Sequence, residues 1–595
     1  MRIPIALKKI WNRRYRTLIC FILAIALVSC LRPRASQMAG IAGLTSQIIV
    51  SSSVEPNSFN PQLMQEGAEI LIYLYEGLVR ENDRGEIELA LAESWEYSSD
   101  RKKIIFTLRK GLKWSDGEPL TADDVVFTYG EIYLNPAIPS YAKDFLQIGQ
   151  SGKFPIARKL DDRRVTFILP EPFAPFLRTT IMEILPAHVL RSSIIEKDSA
   201  GRPLFISTWG TDTDPKQIIS NGPYRLESYV PGERITFSKN PYYWRQDDRG
   251  HGQPYIDRII QRTVDNDDTA LIQFRSGILD FLKVHPDYFA LLKKEEKRGK
   301  FTIYNGGMQT GTTVIMFNLN RGIRNGRPLV DPIKSRWFNT VAFRQAVALS
   351  IDRHGLVKII FRGLGGLPNS PIAELSPYYL SPEAGLPVYE YNIHKAKTLL
   401  RSSGFRYNEK GQLLDRASNR VRFTLTYNVS DRTLENMAPL IQQNLSQIGI
   451  QVDLQPQAIK LVVDKLMNTM DWECQILKGF PMTIEPHDNV NFWYTDSNWH
   501  FFNRQPQARQ TSVTRRTVAA WEQKIADLYL EGAATIDETK RKQIYATTQK
   551  LGQKYLPFIY LVNSLSLVAV RDRIQGVKYS AFQNPFANLY EWKLK

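Results

Sequence analysis

The chain has 595 residues, which is too long for one hydrophobic core and predicts about three or four domains. Its hydrophobic content of 43% and charged content of 23% are typical of a globular protein. The formal net charge of +17 could attract nucleic acid, anionic lipid or anionic ligands. Because no basic stripe with interleaved aromatics and no nucleic-acid motif occurs, we expect no nucleic-acid partner.

The N-terminus has the pattern of an export signal. A basic segment precedes the apolar run 18–28, which is shorter than the about 20 residues that cross a bilayer. The run ends in Leu-Val-Ser-Cys, which resembles a bacterial lipobox, whose cysteine is lipidated and becomes the first mature residue. We predict a signal peptide over 1–29, lipidation of Cys30 and a flexible tether over 30–45. An uncleaved membrane anchor is the alternative, and both alternatives predict an exported protein.

Strands and helices alternate along the first half of the body. The apolar residues after Ser46 predict a buried strand, and the spacing within 66–80 predicts a helix that stops at Gly77 and Leu78. Ile104, Phe106 and Leu108 alternate with Ile105, Thr107 and Arg109, which favours a strand with one buried face. Segment 221–244 predicts a hairpin that turns at Pro231 and Gly232.

Two adjacent aspartates, Asp123 and Asp124, raise the question of acid–base or metal chemistry. Thr121 is a favourable N-cap and Asp124 stands three residues later, which is a variant of the capping box. Both carboxylates fall in the first helical turn, where the macrodipole favours negative charge. Adjacent helical residues point about 100° apart, so the pair does not converge on one atom. We predict that this pair caps a helix and catalyses nothing.

The second half continues the alternation. Segment 312–320 predicts an apolar strand, and segment 392–405 predicts a helix that ends at Gly404. A long helix ends near Gly449 and is followed by a strand, and 517–555 is mostly helical in pattern. The alternation, without repeats, predicts an α/β fold with mixed sheets.

Motifs of catalysis and of cofactor binding do not occur. The seven histidines form no H-E-x-x-H pattern, and no G-x-S-x-G is present. The glycine-rich segment 362–370 lacks the lysine of a P-loop, and the residues around His487 favour a loop over a metal site. Cys474 is the one cysteine outside the leader, which excludes an intramolecular disulfide and a cysteine metal site. We therefore expect no enzyme activity, no metal and no cofactor.

The stretch 89–129 resembles the signature of the extracellular solute-binding proteins of family 5, the peptide-, dipeptide- and nickel-binding components of ABC importers. The matching residues are Trp95, Asp100, Phe106, Leu108, Arg109, Trp114, Asp116, Gly117, Thr121, Ala122, Asp124 and Val125. Further matches follow in family order at 221–244, 343–353, 394–405 and near the C-terminus. The resemblance covers residue 46 to the end.

The resemblance implies the large, class II form of the two-lobed periplasmic-binding-protein fold, with mixed sheets and an extra inserted subdomain. By analogy, lobe I takes 46–80, 205–310 and 560–595. The accessory subdomain takes 81–204, and lobe II takes 311–559. Closure of the lobes about a hinge would enclose the ligand.

The resemblance also implies which segments contact the ligand. Segment 63–69 contributes Gln65 and Glu66, the crossover strand contributes Gln309 and Thr310, and segment 477–494 follows in the second lobe. From that last segment we predict contacts by Phe480, Met482, Glu485 and Trp493, with Phe492 as a further cleft aromatic. In peptide binders of the family, a carboxylate in this segment holds the peptide ammonium group. Met482 stands at that position, and Glu485 or Glu66 could substitute for the missing carboxylate.

The resemblance predicts a monomeric solute receptor, held in the periplasm by its lipid anchor, that delivers ligand to an ABC permease and ATPase. Peptides are the default solute, although nickel chelates, opines, sugars and haem are bound within the wider family. The basic mature chain slightly favours acidic ligands. A ligand sensor on the same fold and an exported hydrolase are the alternative functions.

Overall fold

A computed structural model of the chain describes residues 46–140, 142–149, 151–506 and 510–595. The chain divides into two units, residues 1–47 and residues 48–595. The predicted signal peptide, Cys30 and the tether lie outside the described residues. The architecture below is that of the second unit.

Within the described residues, the strands form four sheets of four or five strands and four isolated strand pairs. The first sheet has the spatial order Gln47–Ser52, Arg258–Thr263, Arg234–Lys239 and Tyr224–Val230. The second places Asn563–Arg571 between Phe281–Lys283 and Phe301–Met308, with Gly365–Gly366 also paired to it. A further antiparallel sheet runs Ala92–Tyr97, Lys103–Leu108, Arg164–Ile168 and Ile156–Lys159.

The five-stranded sheet is mixed. Its order is Gln451–Gln457, Arg422–Asn428, Cys474–Pro481, Gly311–Phe317 and Phe558–Tyr560. The first three strands are parallel, and Gly311–Phe317 is antiparallel to both of its neighbours. The isolated pairs are Val79–Glu81 with Ile87–Leu89, Ile323–Arg324 with Arg327–Pro328, Arg406–Tyr407 with Leu413–Leu414, and Ile574–Gln575 with Lys593–Leu594.

Helices cover the sheets. Those before residue 310 are Leu71–Leu74, Ala122–Val126, Ala142–Leu146, Phe176–Thr179, Ala187–Ile195, Asp267–Arg275 and Pro286–Gly299. Those after it are Pro332–Asn339, Val341–Ser350, Arg353–Ile360, Ile393–Ser402, Arg432–Ser446, Ile459–Asp464, Ala520–Ala534 and Glu538–Tyr555. None of the helices among the described residues is both long enough and apolar enough to cross a bilayer.

Buried apolar side chains form two large cores. The first core joins the first sheet to the sheet built around Lys103–Leu108, so that Ile48, Phe106 and Tyr224 belong to one cluster. The second core surrounds the five-stranded sheet and includes Phe317 and Phe423. A smaller core lies on the second sheet beneath helices Asp267–Arg275 and Pro286–Gly299. The mixed α/β architecture confirms the fold class that the alternation predicts.

Most of the predicted elements are present. Ile104, Phe106 and Leu108 are at most 1% exposed, which confirms the strand with one buried face. The hairpin turns at Gly232, where φ is +74°. Gly404 follows helix Ile393–Ser402 with φ of +93°, a left-handed conformation that suits glycine.

The helix predicted within 66–80 is present, but it ends before the predicted stop at Gly77 and Leu78. The helical part ends at Leu74, and Tyr75 is already extended. Farther along, Leu78 donates its N–H to the Thr180 carbonyl at 2.9 Å. This hydrogen bond, to a residue about a hundred positions away, takes the place of the one that Leu78 would make within a helix. A Cβ on Gly77 would lie 2.3 Å from the Ile181 carbonyl oxygen. Tertiary pairing therefore overrides the local periodicity here.

The capping role of Asp124 is confirmed. Its Oδ2 accepts from Thr121 N at 2.8 Å, and Thr121 and Asp124 form the predicted capping box. Its Oδ1 also accepts from Ala187 N at 2.9 Å, which the sequence pattern does not show. The side chain is 4% exposed, so both hydrogen bonds lie in the protein interior. Asp124 thus joins two helices of the first core.

We expect Asp124→Ala to lower the free energy of unfolding by about 2–4 kcal/mol, because the cap is lost and a buried N–H of Ala187 is left unpaired. Asp123→Ala is the matched control. Asp123 is half-exposed and pairs with Arg191 at 3.0 Å, so its loss should cost less than about 1 kcal/mol. Urea denaturation followed by tryptophan fluorescence measures both. Equal effects of the two substitutions would contradict a buried structural role for Asp124.

Candidate ligand-binding cavity

A cavity of about 850 Å³ lies between the first core and the second core. One wall is formed by helix Phe176–Thr179 and the residues around it. The opposite wall is formed by the end of strand Cys474–Pro481 and the 3₁₀-helix Pro486–Phe492. The volume falls within the range of about 300–1,000 Å³ that is typical of small-molecule sites.

The cavity is lined mainly by apolar and aromatic groups. Six aromatic side chains reach it from both walls: Phe145, Phe173, Phe480, Phe492, Trp499 and Phe501. Phe480 packs on Phe492 with ring centroids 4.6 Å apart. Phe145 and Trp499, by contrast, are 51% and 47% exposed. Rings that remain exposed beside a cavity offer contact area to a ligand at low entropic cost.

The second-core wall is shaped where the chain leaves the five-stranded sheet. Strand Cys474–Pro481 pairs with Gly311–Phe317 up to its last residue, with an irregularity beside Thr312. The 3₁₀-helix then begins at Pro486, which has no N–H to leave unsatisfied. The Glu485 carboxylate caps this helix by accepting from His487 N at 3.0 Å. One short helix therefore presents His487, Asp488 and Asn491 to the cavity.

Glu485 also forms a buried ion pair with Arg541. The two charged groups are 2.6 Å apart, and their side chains are 6% and 4% exposed. Arg541 donates further hydrogen bonds to the Gly532 carbonyl at 2.9 Å and to the Tyr378 hydroxyl. Burial acts to lower the pKa of Arg541, but Glu485 and the nearby tyrosines raise it above its ordinary value. The arginine is therefore held as a cation.

Both basic side chains among the described lining residues have acidic partners. Arg178 pairs with Glu81 at 2.8 Å and donates to the Gly85 carbonyl at 2.6 Å. Lys478 pairs with Asp431 at 3.0 Å. The cavity therefore contains cations whose charge is already compensated by the protein.

The titratable groups of the 3₁₀-helix are strongly perturbed. Burial raises the pKa of Asp488 to about 7, and the charge of Glu485 acts in the same direction, while Arg178 opposes it. Burial and the Arg541 charge lower the pKa of His487 to about 3, so its imidazole is neutral. The His487 ring packs edge-on against Phe173 at 5.0 Å, which joins the two walls.

Of the residues that the sequence predicts for the cleft in segment 477–494, Phe480 and Phe492 line the cavity. Met482 is 3% exposed and packs with Ala373 and Ile484 behind the wall. Glu485 lies behind it too, in the ion pair. Trp493 borders a separate void of about 10 Å³, which has room for about one water molecule.

The other predicted contact residues lie away from this cavity. Gln309 and Thr310 form the link between two sheets, where Gln309 N donates to the Ser564 carbonyl at 3.0 Å and the Thr310 carbonyl accepts from Met482 N at 2.6 Å. Gln65 and Glu66 are exposed, and both backbone N–H groups donate to the Asn57 side chain. Ligand contact by these residues stays a prediction.

Sequence reasoning missed the first-core wall and Asp488. The wall segment 173–183 carries Phe173, Arg178 and Ile181, which face the cavity. Its aromatic and proline content predicts a loop, but nothing local places that loop opposite residues 477–492. Asp488 lies within segment 477–494, two residues after the acid–proline pair of the family pattern. That position was the available signal.

The chain resembles known proteins in both sequence and fold. The family described as bacterial extracellular solute-binding proteins, family 5 middle, matches residues 86–501. A probable ABC transporter-binding protein of Deinococcus radiodurans is 27% identical, with 82% of this chain and 81% of that protein aligned. The oligopeptide-binding protein AppA of Bacillus subtilis is 24% identical over 97% of both chains.

The structure of Bacillus subtilis AppA in complex with a nonapeptide superimposes with a TM-score of 0.67. It is 22% identical and is aligned over 93% of this chain and 99% of its own. This likeness shows that the fold is the two-lobed α/β fold of periplasmic binding proteins. The chain belongs to the bacterial extracellular solute-binding proteins of family 5, which serve ABC importers.

Proposed function

We propose that this protein is an exported, lipid-anchored receptor that binds a peptide or a similar small solute between two lobes and delivers it to an ABC importer. The observation that carries the proposal is the aromatic cavity between the two large cores. A receptor needs an enclosed site and no covalent step. Lipidation at Cys30 and release to a permease and ATPase complete the proposal.

In this proposal the first core with the second sheet is lobe I, extended by the subdomain 81–204, and the second core is lobe II. Two short links join them. Strand Phe301–Met308 continues into Gly311–Phe317, and Phe558–Tyr560 continues into Asn563–Arg571. The links are hydrogen-bonded side by side, with Thr313 N donating to the Val562 carbonyl at 3.2 Å. Such a paired link would act as the hinge on which the lobes close.

Glu485 holds the cavity wall in this proposal and does not contact the solute. Removing it would leave the Arg541 cation buried without its partner. We expect Glu485→Ala to cost about 3–5 kcal/mol of unfolding free energy, whereas the double variant Glu485→Met/Arg541→Met should recover much of that loss. The exposed Glu409→Ala is the control, and urea denaturation is the measurement. A fully folded, equally stable Glu485→Ala protein that fails to bind solute would instead make Glu485 a contact residue.

The function is tested by native mass spectrometry of the protein purified without denaturation. We expect a co-purified solute of small mass, because the cavity is large enough to bury most of the surface of a small solute. Peptide fragments would identify the solute class. Persistent absence of any bound mass, together with an unchanged melting temperature across a library of short peptides, would contradict a peptide receptor.

Filling the cavity should abolish binding without unfolding the protein. Asn491 lines the cavity, is partly exposed, and has room beside it. We expect Asn491→Trp to reduce solute affinity by about tenfold or more, because the indole occupies the space in which the solute is buried. Lys410→Trp, in an exposed turn, is the control for adding an indole. Calorimetric titration with the co-purified solute measures both variants. Unchanged affinity in Asn491→Trp would place the solute elsewhere.

A further inference from the structure

The cavity is locally acidic, although the chain as a whole is basic. Its described lining includes the carboxylates of Glu81, Glu183 and Asp488 and the cations Arg178 and Lys478. Lys478 is neutralised by Asp431 from outside the lining. Arg178 is compensated by Glu81 in the same way, so both lining cations are already paired, although the chain as a whole carries a net charge of +17. A bound solute senses these nearby groups more than the distant surface charge.

Asp488 is the carboxylate whose counter-ion is absent from the protein. Its side chain is exposed to the cavity, and among the described residues none donates a hydrogen bond or forms a close ion pair with it. Arg178 acts on it from a distance but is engaged by Glu81 and the Gly85 carbonyl. Desolvation beside apolar groups raises the pKa of Asp488 to about 7, so an opposite charge placed next to it in the cavity would stabilise its ionised form. A solute cation would supply that charge.

The rest of the lining suits the same solute. The exposed rings of Phe145 and Trp499 offer faces that attract cations as well as apolar contact area. His487 is neutral and adds no competing positive charge. A solute carboxylate, by contrast, would find both lining cations already paired.

We propose that the solute is an organic monocation with an apolar body, that its charged group pairs with the Asp488 carboxylate, and that it places no carboxylate inside the cavity. This inference rests on the proposed receptor function. It reverses the expectation of an acidic ligand that the overall charge favours. It also moves the ammonium-binding role away from Glu485, which Arg541 occupies, and from Met482, which is buried behind the wall.

Four derivatives of one dipeptide test the charge preference at constant size. They are phenylalanyl-phenylalanine amide (a monocation), its N-acetyl form (neutral), the free dipeptide (a zwitterion) and N-acetyl-phenylalanyl-phenylalanine (an anion). Calorimetric titration at pH 7 measures each, since an α-amino group with a pKa of about 7.7–8.0 is mostly protonated there. We expect the monocation to bind about tenfold or more tightly than the other three, as for a hydrogen bond to a charged group.

Asp488→Asn should remove the preference for the monocation and leave binding of the neutral form within about twofold of the unaltered protein. Asp471→Asn, an exposed aspartate outside the cavity, is the matched control and should retain the preference. Equal binding of all four probes, or tighter binding of the zwitterion or the anion, would overturn the inference. So would a monocation preference that survives Asp488→Asn.

The mass-spectrometric experiment separates this inference from the proposed function. A co-purified solute that carries a carboxylate and no cation would overturn the inference while supporting a receptor. A co-purified organic cation, lost from the Asp488→Asn protein and kept by Asp471→Asn, would support both. Absence of any bound solute and of binding by all four probes would count against both.

Discussion

Glu485 and Arg541 form a buried ion pair where the chain leaves the five-stranded sheet, and the position of the cavity wall depends on that pair. Removing two charges from water is costly, and the cost is offset only when each charge keeps its remaining hydrogen bonds. Glu485 accepts from His487 N, while Arg541 donates to Gly532 and Tyr378. These bonds set the start of the 3₁₀-helix, and that start decides which of its side chains face the cavity.

The ion pair between Glu485 and Arg541 also gives Glu485 and Asp488 different roles. Because Arg541 holds Glu485 behind the wall, the carboxylate that the 3₁₀-helix presents to the cavity is Asp488. Arg178 is held in a similar way by Glu81 on the opposite wall. The electrostatic character of the site is therefore set by which charges are already paired, and the composition of the chain does not reveal this.

Secondary structure was predictable from the sequence wherever the contacts that stabilise it are between residues close in the chain. The alternation of Ile104, Phe106 and Leu108 and the capping box of Thr121 and Asp124 depend on neighbours within a few residues. The helix predicted to stop at Gly77 and Leu78 ends earlier, at Leu74, and Gly77 and Leu78 instead meet the backbone of residues 180 and 181. A periodic pattern cannot register a competing hydrogen-bond partner that lies a hundred residues away.

By itself, the sequence determined the family, the α/β alternation and the absence of familiar catalytic motifs, since these are carried by contiguous residues. It also pointed to segment 477–494, of which Phe480 and Phe492 line the cavity. Only the tertiary structure decided that Phe173 meets His487, and that Asp488 faces the enclosed space while Met482 lies behind it. The reason is physical: burial, desolvation and charge pairing at the cavity arise from segments that are distant in the chain and meet only when the two cores have packed.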